Sequence, residues 1–221
     1  MIRGLIEFLF PKRCLICERD GAILCALCER KITLRISQPS NDTLAFFDFT
    51  NPVVKKIIHA LKYEGNRALG NYLGTALYRE FFKKAATGST SSLHQEMLEN
   101  HLILAPLPLS KKSHRNRGYN QSQLICESII RTARADGITI EYLPNLLRKH
   151  RNTPRQVEIR LRSERLKNLH GAFSVSNGRS IHGRTIILLD DVTTTGATFA
   201  EARRVLAPFQ AKRIIAIAVA H

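Results

Sequence analysis

The chain has 221 residues, 44% of them hydrophobic, and its 34 lysines and arginines against 18 aspartates and glutamates give a formal charge of +16. That length excludes a chain too short to bury a core, and leaves room for one substantial domain beside a small module of about 30 to 40 residues. The basic excess favours polyanions as partners, whether nucleic acid, nucleotide-like ligands or an anionic membrane surface, without choosing among them.

In chain order, Met1 to Phe10 is apolar apart from Arg3 and Glu7 and runs directly into Pro11-Lys12-Arg13. It is shorter than a membrane span and lacks a small-residue cleavage pattern, so it reads neither as a transmembrane segment nor as a signal, and the chain is expected in the cytoplasm. Contact of this apolar face with a membrane surface is the alternative. Next come Cys14, Cys17, Cys25 and Cys28, two Cys-x2-Cys pairs separated by seven residues. Four thiolates at this double spacing suit a closed tetrahedral structural zinc site. Iron accepts the same ligand set, and reduced or redox-active pairs are the other reading. The expected organisation is a zinc-finger module over 1–45 and a second domain over 46–221.

Helical apolar spacing runs through 52–63 and 67–86, broken by Glu64-Gly65-Asn66, and 87–92 reads as a polar loop. The sequence 101–105 predicts the first core strand. A basic stretch follows, Lys111-Lys112-Ser113-His114-Arg115-Asn116-Arg117-Gly118-Tyr119-Asn120-Gln121, expected as a loop in which guanidinium groups for phosphates stand beside a ring able to stack on a base. Asn120 is a candidate cap for a helix ending near Gly137; Cys126 on it reads as a core thiol. A strand is expected over 138–142, a second basic loop from Arg148 through Arg151 to Arg155, and a polar helix or ordered loop over 156–168. Residues 111–167 hold 14 Lys or Arg and five Asp or Glu, a local charge of +9. A solvated basic surface is the plain reading of such charges; their clustering favours a binding role.

The most informative stretch is Ile186-Ile187-Leu188-Leu189-Asp190-Asp191-Val192-Thr193-Thr194-Thr195-Gly196-Ala197-Thr198. Four apolar residues suit a strand buried on both faces, and Phe199, Ala202, Val205, Leu206 and Phe209 recur at helical spacing, so the turn lies where strand meets helix. There the first helical amides lack partners and the helix dipole favours an anion, while small residues let a phosphate approach. Asp190 and Asp191 can accept hydrogen bonds from vicinal sugar hydroxyls, with a divalent cation moderating their repulsion. Thr193, Thr194, Thr195, Gly196, Ala197 and Thr198 form the phosphate turn of what reads as a phosphoribosyl diphosphate site. No Walker A lysine is present. A last strand is expected over 212–220, and the alternation of strands and helices predicts an α/β fold: a mostly parallel sheet flanked by helices, with ligands at its carboxyl edge.

This motif resembles the signature of the type I phosphoribosyltransferases, with Ala197 where that family has a second glycine. The wider chain resembles the ComF (ComFC/GntX-like) family through the two cysteine pairs, Leu61-Lys62-Tyr63-Glu64-Gly65, Ala105-Pro106-Leu107-Pro108 and Arg117-Gly118-Tyr119-Asn120-Gln121. Arg148, Thr153-Pro154, Gln156, Arg165, Asn168 and Gly171-Ala172-Phe173 continue the match up to the acidic motif. The resemblance implies a type I phosphoribosyltransferase-like domain beside a zinc finger, and a cytoplasmic accessory of natural transformation that helps single-stranded DNA across the inner membrane. It further implies that the turn Leu107, Pro108, Leu109, Ser110 and Lys111 meets the diphosphate together with magnesium, and that a DNA-translocating ATPase and an inner-membrane DNA channel are partners. Arg115, Arg117, Tyr119, Arg148, Arg151 and Arg155 are the candidate DNA contacts. The alternative is a catalytic phosphoribosyltransferase acting on a small nucleophile, whose pocket the residues do not reveal.

Overall fold

The computed structural model describes residues 12–32, 34–40, 43–87, 95–96, 101–150 and 170–221. The expected architecture is borne out: six strands form a mostly parallel sheet flanked by helices, with a four-cysteine cluster near the N-terminus. The strands are β1 (Leu34–Ser40), β2 (Thr43–Phe47), β3 (Leu102–Pro106), β4 (Glu141–Tyr142), β7 (Thr185–Val192) and β8 (Arg213–Ala220), in the order β1-β2-β8-β7-β3-β4. Only β1 runs antiparallel to its neighbour. β5 (Leu147–Lys149) and β6 (Phe173–Val175) make a separate antiparallel pair.

The helices are α1 (Pro52–Tyr63), α2 (Ala68–Leu77), α3 (Lys111–Arg117), α4 (Gln121–Ala135) and α5 (Ala197–Leu206). α2 continues through a π-helical turn, Tyr78–Lys83, into Lys84–Thr87. Strand alternation divides the core. Leu102, Leu104, Ile187, Leu189, Ile215 and Ile217 pack with α1, α2 and α4, whereas Ile103, Ala105, Ile186, Leu188 and Ala216 pack with α5 and the β5–β6 pair. Ile186 to Leu189 are wholly buried, as a central strand covered on both faces requires.

Three expectations are corrected. The sheet begins before 101–105, at β1 and β2; β1 carries Pro39 and polar residues, which an edge strand tolerates and which hide it from a periodicity reading. The basic stretch after Ser110 is a helix rather than a loop: the Ser110 hydroxyl accepts from the Ser113 amide at 3.1 Å, and Gly118 at φ 73° closes α3. The strand expected over 138–142 shortens to Glu141–Tyr142. Asn120 caps α4 as expected, its Oδ1 accepting from the Ser122 amide at 3.0 Å, and Cys126 is buried. The boundary expected at residue 45 falls within β2. Arg151, Arg155, the polar segment 156–168 and the apolar stretch 1–10 lie outside the described residues.

Candidate functional site

Two parallel strands end side by side to make the candidate ligand edge. β3 and β7 keep register to Pro106 opposite Leu189, and the Leu107 amide donates to the Leu189 carbonyl at 2.9 Å. The turn 107–111 and the turn 193–198 therefore leave the same edge of the sheet, where ligands of open α/β sheets collect. Asn120 ties the first turn down, its Nδ2 donating to the Leu107 carbonyl at 2.9 Å. On the second, the Thr193 amide donates to the Ala220 carbonyl at 3.0 Å, and Gly196 at φ 73° turns the chain into the ten-residue α5. The Ala197 amide donates to the Thr195 hydroxyl oxygen at 3.4 Å. Thr193 and Ala197 are buried, Thr194 is exposed, and Thr195 and Thr198 are partly buried.

The two carboxylates differ. Asp191 is buried and pairs with Lys62 of α1 at 2.8 Å. Asp190 accepts from the Ser122 hydroxyl at 3.0 Å and from the Asp191 amide at 2.9 Å. Burial, then the neighbouring Asp191 charge, pushes the Asp190 carboxyl up to about 7, against the opposing pull of Lys62 and its two hydrogen bonds. Lys149 on β5 is also placed near: burial holds its ammonium below the usual lysine range, and the Asp190 charge works the other way.

Beside this edge lies a cleft of about 700 Å³, lined among the described residues by Phe49, Pro52, Lys55, Lys56, Ile58, His59, Lys62, Tyr63, Val192 and Thr194. That volume is in the range of small-ligand sites. Sequence reasoning did not single out Lys55, Lys56 or His59; the signal available was a helix with three lysines and no carboxylate. Arg115 and Arg148 are exposed. Arg117 donates to the Gln121 amide oxygen at 3.0 Å and lies 5.3 Å from the centroid of the Tyr63 ring. Tyr119 is buried, with Arg67 over its ring at 4.7 Å and its hydroxyl donating to the Leu61 carbonyl. The exposed ring on this side is Tyr63, at 63%.

The four cysteine sulfurs lie within 4.8 Å of one another, Cys17 and Cys25 at 3.6 Å. Tetrahedral zinc with its usual zinc–sulfur bond requires about 3.8 Å between sulfurs, so the residues fit that ion. Local backbone prepares them. The Cys25 amide donates to the Cys14 sulfur at 3.4 Å, and Glu18 and Gly21 at φ 62° and 114° fold the loop between the pairs. Burial opposes ionisation of Cys14, but backbone donors from Cys17, Cys25 and Ile16 outweigh it and draw the thiol down to about 6. The cluster could hold a metal and is compatible with structural zinc.

An α/β sheet with a candidate ligand edge, joined to a four-cysteine cluster able to hold a metal, is thus the class of protein the structure defines. No protein-family model matches the chain. Among curated proteins it is 27% identical to competence protein ComFC of Bacillus subtilis over 196 residues, 87% of this chain and 70% of that protein. It is 28% identical to the DNA utilization protein YhgH of Escherichia coli K12, over 70% of this chain and 61% of the relative. Competence protein F of Haemophilus influenzae is 28% identical over 76% of this chain and 68% of its own. These relatives agree with the ComF resemblance carried by the motifs, and their names point to competence and DNA utilization. Among the described residues no helix is long and apolar enough to cross a membrane.

Proposed function

We propose that the chain is an accessory of DNA uptake in natural transformation, binding single-stranded DNA at the cytoplasmic side of the membrane and phosphoribosyl diphosphate at the carboxyl edge of the sheet. The observation that carries the reading is the meeting of the Asp190–Asp191 pair, the turn into α5 and a lysine-rich cleft at one place. Asp190 and Asp191 would take the ribose hydroxyls, residues 193–198 the 5-phosphate and residues 107–111 the diphosphate. Magnesium would accompany the diphosphate and neutralise charge that the carboxylates repel. Zinc would hold the N-terminal loops, and a DNA-translocating ATPase and membrane channel would receive the strand.

Calorimetric titration of the zinc-loaded protein with phosphoribosyl diphosphate and magnesium, alone and with single-stranded DNA bound, tests it. Dissociation constants on the order of micromolar, altered by bound DNA, are expected; two sites that influence each other must do so reciprocally. No heat with either ligand would remove the reading. The cleft beside Thr194 also favours a second reading, because it leaves room for an acceptor next to that turn. An acceptor there would bond to ribose C1 as the bond from C1 to the diphosphate oxygen breaks, with diphosphate leaving and the acceptor's proton passing to water. Diphosphate release abolished by Asp190→Asn with Asp191→Asn supports that reading; no release with any base or amine counts against it.

A further inference from the structure

We propose that the cleft along α1 seats single-stranded DNA, with a base stacked on Tyr63 and phosphates on Lys55, Lys56 and Arg117. The inference rests on the DNA-binding reading above, keeps Arg117 from the contacts expected from sequence, and adds to it a helix that the sequence did not single out for DNA. Val53, Val54, Ile57, Ile58, Ala60 and Leu61 turn one side of α1 into the core. The opposite side leaves Lys55, Lys56, His59 and Tyr63 exposed at the cleft. The lining extends from Pro52 to Tyr63, about 17 Å along the helix axis at the usual rise, which exceeds one nucleotide.

Charge and aromatic placement together select the occupant. α1 carries three lysines and no carboxylate. Two carboxylates near its end are already engaged, Glu64 with His59 at 3.1 Å and Asp191 with Lys62 at 2.8 Å. Tyr63 is the most exposed large apolar side chain among the described residues, yet its ring is held in place: Arg117 lies 5.3 Å from its centroid, and the His59 ring lies 5.0 Å away at a tilt of 48°. A fixed, exposed ring amid cations is the arrangement on which successive bases of a single strand stack, whereas a duplex offers no free base face. Val192 and Thr194 also line the cleft, so a strand lying in it comes up to the turn 193–198.

The test is fluorescence anisotropy of a labelled oligothymidine with the full zinc-loaded chain across a salt series. Tyr63→Ala should weaken binding by about tenfold or more, and Tyr63→Phe should stay within about twofold. Lys55→Ala with Lys56→Ala should flatten the dependence of log affinity on log salt by about 1.4. These side chains are exposed, so unchanged melting temperatures should accompany the losses. A strand carrying 5-iododeoxyuridine should photo-crosslink to Tyr63. If the wild type binds the strand and the cleft variants bind equally well, the strand lies elsewhere: this inference falls and the DNA reading survives. If the wild type binds no strand, both fall. If thymidine monophosphate competes as strongly as the strand, the cleft is a mononucleotide pocket and the inference is overturned.

Discussion

At Asp190 a carboxyl is held above its ordinary range by burial and by Asp191, which fixes the sign of a pH effect. The unfolded chain ionises this group near its usual value, about 3.9, while the folded chain keeps the proton until about 7. Between those values the native state binds more protons, so the group's contribution favours folding at low pH and is lost as pH rises towards 7. Asp190→Asn keeps an oxygen to accept from the Ser122 hydroxyl and the Asp191 amide but removes the charge. Its stability relative to wild type should therefore rise between about pH 4 and about pH 7, by a few kcal/mol in order of magnitude (about 1.4 kcal/mol per pH unit), in paired urea titrations. A flat difference would mean that Asp190 ionises normally in the fold. Lys62 opposes the upward shift, so Lys62→Gln should move the midpoint of that difference curve to higher pH. The Lys62–Asp191 pair itself was not legible in the sequence, because 129 positions separate the partners and only the packing of α1 on the sheet brings them together.

Between elements a close constraint falls where α2 crosses α4. A Cβ at Gly74 would stand 2.5 Å from the Ser128 Cβ and 2.6 Å from the Ile125 carbonyl oxygen. Alanine in a helix interior ordinarily gains up to about 1 kcal/mol over glycine. Here the crowding atoms include backbone, and overpacking costs about 1–3 kcal/mol, so it wins. Gly74→Ala should lower the melting temperature, whereas Gly137→Asn, at φ 74° with open space around it, should change it little. At this scale much of the fold was readable. The apolar run 186–189, the cap Asn120 and the periodicity of 52–63 each carry a local physical signature. What escaped reading depended on context. β1 gains its place by pairing with β2, α3 forms from residues that suit either a helix or a solvated loop, and Tyr119 looks like a stacking ring until its hydroxyl is seen buried on the Leu61 carbonyl. The cleft was hidden for the same reason, since its walls come from α1 and from the turn after β7.

For the whole molecule the open question is whether the cysteine loops and the sheet form one cooperative unit. Leu24, Cys14 and Cys28 share a hydrophobic cluster with Ile57, Leu73 and Val219. Two polar ties reinforce the contact: Tyr72 donates to Glu29 at 2.8 Å, and Asn51, the cap of α1, donates through its side chain to the Lys31 carbonyl at 2.9 Å. Loss of the metal should therefore loosen the start of α1, and with it the cleft and Lys62, rather than only the loops. Metal binding that requires the folded loops adds its free energy to folding. In scanning calorimetry the zinc-loaded chain should melt in one transition, and chelation should lower that transition by about 10 °C or more, since 1 kcal/mol shifts a domain of this size by about 2–4 °C. Cys17→Ser should reproduce the shift without chelator. Two transitions, the upper one unmoved by chelation, would instead mark the cysteine segment as a separate domain. One transition that moves as a whole would make the metal centre a determinant of the ligand edge, so that chelation should also weaken binding at the cleft.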